Sequence, residues 1–277
     1  MRIFDGYLIC SDIDGTLTDS NREISKENLE TIKFFQENGG KFTVSTGRFP
    51  EYLKGFFHLF KPNCPAIAGN GGLLYDYEKD KAIQNILFDC DTSDFLKFIW
   101  DEMPNVTQVG FCDYEGAIEN FIKSDVQSYD DYFMKVTRLT TSDELLKSYR
   151  IHKETISRYY IIQKSENIIH HMKILLEKFS NKYDIYPSWG EGIECLPKGI
   201  DKGNMVAELK KYLGNIHTTI CVGDFDNDIS MFKVADISFA VENAPERVKK
   251  HANHIAPNHN ENAIAFIIKN LYEELKK

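Results

Sequence analysis

The chain has 277 residues, 42% hydrophobic and 27% charged, with a formal net charge of −9. That length suits a large core and two domains at the usual ~100–200 residues each, and the acidic balance argues against a nucleic-acid binder, which needs clustered Lys and Arg to neutralise phosphates. No stretch reaches the roughly 18 apolar residues of a membrane span, and Met1-Arg2-Ile3-Phe4-Asp5-Gly6 lacks the apolar core of a signal peptide, so neither a membrane nor an export route is expected.

Tyr7 to Cys10 is an apolar run that predicts a strand covered on both faces. It delivers Asp12-Ile13-Asp14-Gly15-Thr16-Leu17, two carboxylates and a glycine turn, to the place where ligands gather in open α/β sheets, beyond the carboxyl end of a strand. Ser25 is the expected N-cap of a helix that carries Leu29, Ile32 and Phe35 on one face and ends at Gly39-Gly40. A second strand at Phe42-Thr43-Val44 runs into Ser45-Thr46-Gly47-Arg48, just ahead of Pro50. A hydroxyl and bare amides at a helix start are good phosphate donors. Pro65 to Ala68 reads as a third strand, and the Asn-Gly pair in Gly69-Asn70-Gly71-Gly72 as a tight hairpin. The β-α-β-α-β order predicts a parallel sheet with helices on its faces.

From about Leu87 to about Trp189 the texture changes to aromatics and charges, with short strands at Thr107 to Cys112 and Arg158 to Gln163. Ser165 to Phe179 is expected as an amphipathic helix that buries Ile168, Met172, Leu175, Leu176 and Phe179. Gly192 to Leu196 reads as a strand of the first domain again, and Asp201-Lys202-Gly203 opens a helix with Met205, Val206, Leu209 and Leu213 inward. Lys202 stands in that helix's first turn, where the macrodipole disfavours a cation. Thr218 to Val222 is a second β-branched, apolar run, and it ends in Gly223-Asp224-Phe225-Asp226-Asn227-Asp228. Strands at Asp236 to Val241 and His254 to Ala256, and a helix carrying Ile264, Ile267, Ile268, Leu271 and Leu275, complete the sheet.

Neither acidic loop is an EF-hand: the glycine demanded at position six is Leu17 in one and Ile229 in the other, and each loop follows a strand instead of a helix. His251, His254 and His259 lack the helical spacing of a zinc site and read as loop and surface residues. The six cysteines, Cys10, Cys64, Cys90, Cys112, Cys195 and Cys221, form no Cys-x-x-Cys pair and read as reduced residues of a cytoplasmic protein.

Two aspartates on one loop, a Thr-Gly turn, a lysine and a second acidic cluster are the kit for magnesium-assisted phosphoryl transfer to a carboxylate. An anionic nucleophile must approach an anionic phosphoryl group, and a hard divalent cation with a lysine offsets the repulsion. Magnesium commonly uses one or two carboxylates plus water and substrate phosphate, a number that Asp12 and Asp224 fit. Thr46 and the Gly47 amide would hold the non-transferred oxygens, and Asp14 would protonate the leaving alcohol and later activate water.

The four motifs Asp12 to Leu17, Ser45 to Arg48, Asp201 to Gly203 and Gly223 to Asp228 resemble, in order and along the whole chain, those of the haloacid dehalogenase superfamily in its Cof-type phosphatase branch. The resemblance implies a Rossmann-like hydrolase core, Mg²⁺ and an aspartyl-phosphate intermediate. It makes Asp12 the nucleophile, Asp14 the general acid and base, and Thr46 and Lys202 phosphate contacts, with Asn227 near the phosphate. Asp224, Asp12 and the Asp14 main-chain oxygen would hold the metal, supported by Asp228. Only 31 residues lie between Asp14 and Thr46 but 155 between Thr46 and Lys202, so the insertion follows the second motif, as in the branch with an α/β cap.

The expected fold class is therefore α/β, with residues 1–86 and 190–277 as a parallel-sheet core and 87–189 as an inserted α+β cap. Similar caps close over the core, which would make the segments near Leu87 and Trp189 hinges. The expected function is a phosphatase acting on a small phosphorylated metabolite: a sugar phosphate, nucleotide or phosphorylated cofactor. A phosphomutase or a non-catalytic metabolite-binding relative are the alternatives. Tyr114, Tyr132, Tyr159, Tyr160, Trp189 and Arg158 are the cap residues from which substrate contacts could come.

Overall fold

Buried on both faces, β1 (Tyr7–Ser11) passes through a tight turn at Ile13–Leu17 to α1 (Lys26–Glu37), β2 (Lys41–Val44) and α2 (Pro50–Phe57). These elements belong to a computed structural model that describes residues 2–57, 59–114, 117–123, 136–163, 168–187 and 192–277. The Ser25 hydroxyl caps α1 by accepting from Asn28 N at 3.1 Å, and α1 turns Ile32 and Phe35 into the core. Next come β3 (Ala66–Ala68), β4 (Leu73–Asp76) and β5 (Lys81–Asn85), a small sheet in that order. β3 is thus only marginally part of the predicted parallel sheet. Its neighbour Ser45 makes a single parallel bridge to Ile67, and β3 itself pairs antiparallel with β4 because Gly69–Gly71 turns the chain straight back.

The chain clusters into two compact units, Met1–Gln84 with Asp201–Lys277, and Asn85–Ile200. In the second, α3 (Ser93–Glu102), β6 (Val106–Cys112), β7 (Ala117–Lys123), β8 (Val136–Leu139), α4 (Ser142–His152), β9 (Arg158–Gln163), α5 (Ile168–Phe179), β10 (Tyr183–Pro187) and β11 (Gly192–Pro197) follow in order. Their strands form one sheet ordered β10-β11-β9-β6-β7-β8. Phe95, Ile99, Val109, Phe111, Tyr159, Ile161, Leu175 and Phe179 fill its core. Two expectations need correction here. The strand at Gly192 does not return to the first unit: β11 pairs antiparallel with both β9 and β10, with Ile193 beside Ile161 and Ile185 beside Cys195. In α5 the buried stripe is His171, Leu175 and Phe179, a strict four-residue spacing, so Leu176 falls one step round the helix and is exposed. Ser165, where that helix was expected to start, lies outside the described residues, as do Tyr132 and Trp189.

The first unit resumes with α6 (Lys202–Leu213), β12 (Thr218–Gly223), α7 (Ile229–Val234), β13 (Ile237–Val241), α8 (Glu246–Lys249), β14 (His254–Ala256) and α9 (Ala263–Leu275). Its main sheet has five strands ordered β14-β13-β12-β1-β2, and every pairing in that sheet is parallel. The fold class is the α/β, parallel-sheet architecture that the strand and helix order predicts. Among the described residues no helix is long and apolar enough to cross a membrane.

Candidate active site

Parallel register brings the two acidic loops together. Ser11 on β1 lies beside Val222 on β12, and Asp12 N donates to Val222 O at 2.9 Å, so both strands release their chains at one level. Asp12 follows the first strand and Asp224 the second, and one carboxylate oxygen from each of Asp12, Asp224 and Asp228 lies within 4.8 Å of the others.

Each loop is locked by its own chemistry. Gly15 has φ +75°, and a Cβ there would stand 2.6 Å from Asp224 Oδ2, so only glycine lets the first loop lie against the second. Thr16 Oγ1 donates to Asp224 Oδ1 at 3.1 Å, and Asn243 Nδ2 donates to Gly15 O at 2.8 Å. Asp228 is wholly engaged: Oδ2 accepts from the backbone amides of Asp224 and Phe225, at 2.9 and 3.0 Å, and Oδ1 accepts from Lys202 Nζ at 2.6 Å.

Lys202 opens α6, whose cap is Asp201 Oδ1 accepting from Asn204 N at 2.7 Å. Its side chain is fully buried, and Nζ also donates to Asp12 Oδ1 at 2.6 Å. Burial works against the ammonium, but Asp12 and Asp228 outweigh it and hold the pKa above the ordinary lysine value. That pairing is why a cation is tolerated at the unfavourable end of a helix dipole.

The carboxylates feel the opposite pressure. Burial raises the Asp12 pKa, Lys202 opposes the rise, and Asp228 and Asp224 add to it. Asp224 is pushed up to about 7, first by burial and then by repulsion from Asp228. Three carboxylates lie close to one ammonium, and their mutual repulsion joins burial in disfavouring the ionised forms of Asp12 and Asp224. An all-oxygen donor set of this kind suits a hard divalent cation, whose charge would favour those ionised forms.

The remaining motif residues form a second group. Thr46 is buried, its N donates to Ile67 O at 3.0 Å and its hydroxyl accepts from Arg48 N at 3.2 Å. Gly47 lies under the carboxamide of Asn70, and Asn227 Nδ2 donates to Asn70 Oδ1 at 2.9 Å. Asp14 is half-exposed and its side chain is not among the three clustered carboxylates. Arg48 holds it instead, Nε donating to Oδ2 at 2.7 Å and Nη2 to Oδ1 at 2.5 Å.

Sequence reasoning assigned no role to Arg48, Asn70 or Asn243. Arg48 adjoins the Thr-Gly turn and could have been flagged as its only charged member, and Asn70 was absorbed into a turn reading. Asn243 carries no local signal at all. Of the three histidines, His251 and His254 are exposed, and His259 Nδ1 lies 2.8 Å from Thr18 O. In the second unit, Tyr159 is a core residue with its hydroxyl 2.6 Å from Thr92 Oγ1. Arg158 Nη1 donates to Glu194 Oε2 at 2.7 Å, and the Tyr160 hydroxyl to Asn120 Oδ1 at 2.9 Å.

Comparison with known proteins places this arrangement in context. A family model described as haloacid dehalogenase-like hydrolase matches residues 9–268. The chain is 27% identical to 5-amino-6-(5-phospho-D-ribitylamino)uracil phosphatase YwtE of Bacillus subtilis, covering 95% of this chain and 97% of that one. Among solved structures it resembles a HAD/COF-like hydrolase of Plasmodium vivax, with a TM-score of 0.78 and 26% identity over 99% of this chain and 97% of the other. It also shares its fold with a haloacid dehalogenase-like hydrolase of Bacteroides thetaiotaomicron, TM-score 0.74 at 23% identity, covering 97% and 99% of the two chains.

Proposed function

We propose that this chain, which belongs to the haloacid dehalogenase-like hydrolase family, is a magnesium-dependent phosphatase that hydrolyses a small phosphorylated metabolite through an aspartyl-phosphate. The observation that supports the reading best is the cluster of Asp12, Asp224 and Asp228, two of which, Asp12 and Asp228, pair with the buried Lys202 Nζ. In this reading Asp12 is the nucleophile. Lys202 donates to its Oδ1 and favours the ionised carboxylate against the burial that raises its pKa, so Oδ2 is the oxygen assigned to attack phosphorus. Thr46, the Gly47 amide and Asn227 hold the phosphoryl oxygens. Asp14 gives a proton to the departing alcohol and then takes one from the water that opens the acyl phosphate.

Asp12, Asp224 and the Asp14 main-chain oxygen would hold Mg²⁺. Asp228 would support them from behind, since both its oxygens already accept hydrogen bonds. When bound, the cation supplies positive charge between the nucleophile and the phosphoryl oxygens. Substrate choice is assigned to the inserted unit Asn85–Ile200. The B. subtilis relative is named for a phosphorylated ribitylaminouracil, which puts a ribityl phosphate of that kind first in a substrate panel alongside sugar phosphates and nucleotides.

The test is phosphate release from p-nitrophenyl phosphate and from that panel, with and without Mg²⁺, using Asp12→Asn as the control. Magnesium-dependent release that Asp12→Asn abolishes is the expected result. An isomerised phosphate ester in place of free phosphate, or no turnover of any panel member, would overturn it.

A further inference from the structure

We propose that Asn70 is a positioning residue for phosphate binding, acting through Asn227 and the Thr46-Gly47 turn. The inference rests on the phosphatase reading above but concerns a residue that reading does not use.

Three consecutive residues, Gly69, Asn70 and Gly71, have φ of +56°, +54° and +97°. Glycine is the default in that region, and a side chain there is retained where its chemistry is needed. Asn70 is buried, with 5% of its surface exposed. Its Oδ1 accepts from Asn227 Nδ2 at 2.9 Å, and its N donates to Thr46 O at 3.0 Å. A Cβ on Gly47 would stand 3.1 Å from Asn70 Nδ2 and 3.2 Å from Oδ1, so the carboxamide fills the space a side chain at position 47 would claim. Gly69 N extends the same seam by donating to Arg48 O at 3.0 Å.

One amide therefore ties together two loops that leave different strands and that both carry groups assigned to the phosphate. Asn227 has a freely rotating amide, and the bond to Asn70 Oδ1 selects the rotamer in which Nδ2 faces Asn70. Asn70 also roofs Gly47, which fixes the plane of the peptide whose amide the phosphate would meet.

The experiment compares Asn70→Gly, Asn70→Asp, Asn227→Ala and the Asn70→Gly/Asn227→Ala double variant, by KM and kcat on p-nitrophenyl phosphate and by Ki for inorganic phosphate. Asn70→Gly keeps the left-handed backbone and removes only the amide. We expect KM and Ki to rise about tenfold, the worth of one well-placed hydrogen bond, with a smaller change in kcat. The double variant should lose less than the product of the two single losses, because part of the Asn70 effect runs through Asn227 and the rest through Gly47. Asn70→Asp keeps the acceptor for Asn227 but sets an anion beside Gly47, so its Ki should rise at least as far. Wild-type KM and Ki in Asn70→Gly, or losses that multiply in the double variant, would overturn the assignment while the wild type remains active. A wild type that neither turns over p-nitrophenyl phosphate nor binds phosphate would overturn the phosphatase reading and this assignment with it.

Discussion

Arg48 grips Asp14 with both arms of its guanidinium, Nε on one carboxylate oxygen and Nη2 on the other. A bidentate fork of this kind fixes the plane of the carboxylate as well as its charge. If Asp14 is the proton donor, Arg48 sets where that proton is offered. Arg48→Ala should therefore lower kcat on an alkyl phosphate, but by less than Asp14→Asn, whose loss should fall in the range of about 10²–10⁴-fold typical of general acid–base catalysis. Arg48→Lys should recover little, since an ammonium cannot make the fork. p-Nitrophenyl phosphate provides the contrast in kcat/KM, which does not include the later attack of water that Asp14 also serves: its leaving group needs no proton, so both variants should lower kcat/KM less on it. Equal kcat/KM losses on alkyl and aryl esters would sink the positioning role.

Lys202 makes a second test that does not depend on turnover. Its ammonium is fully buried between Asp12 and Asp228, and deleting one partner of such a pair typically costs about 3–5 kcal/mol because the other charges stay buried and unpaired. Lys202→Met should unfold at a lower temperature in chelator, and millimolar Mg²⁺ should restore more of its stability than it adds to the wild type, because without the competing ammonium the carboxylates bind the cation more tightly. Scanning calorimetry with and without metal measures both. A variant as stable as the wild type in chelator would show that the pair carries no such strain.

How much of this was readable without coordinates follows from the reach of each interaction. The strand ends at Asp12 and Asp224 were legible because apolar runs and turn residues are local signals, and the Ser25 cap and the α1 face likewise. What failed was pairing. Nothing within Gly192 to Leu196 says which sheet it joins, since β11 has the same apolar texture as a core strand and β9, which carries its partner Ile161, lies well back in the sequence. The Leu176 error is of another kind: an extra apolar residue beside the true His171-Leu175-Phe179 stripe looked like part of it. Arg48, Asn70 and Asn243 were missed because each acts on a loop from another part of the chain, as Asn243 does on Gly15.

Gly15 links the loop geometry to the proposed metal site. Adding a methyl would place it 2.6 Å from Asp224 Oδ2 and would force a left-handed φ of +75° on alanine. Backbone strain of that sort costs of order 1–3 kcal/mol where the surroundings hold it in place. The chain would relieve the clash by moving Asp224 away. Gly15→Ala should thus weaken Mg²⁺ binding at least tenfold, seen both by titration calorimetry and as a raised half-saturation for metal in the hydrolysis assay. An unchanged calorimetric affinity would mean that Asp224 is not held where the first loop touches it.

The second unit carries a pH-sensitive group of its own. His171 is buried on α5, with Nδ1 against Gln163 Oε1. Burial lowers its pKa below the ordinary value, and neighbouring His170 and Lys123 push the same way. The folded chain thus prefers the neutral ring, while the unfolded chain takes up a proton at about pH 6.5. Stability from this residue is complete above that pH and is lost as pH falls toward the folded value, at no more than about 1.4 kcal/mol per pH unit for one proton. Thermal unfolding of the wild type should drop between pH 7 and pH 5 more steeply than that of His171→Gln, which keeps a polar partner for Gln163 but cannot titrate. Carboxylates titrating in the same range affect both proteins alike, so the difference isolates the imidazole. A gap between the two melting temperatures that stays constant across those pH values would rule out a neutral, buried His171.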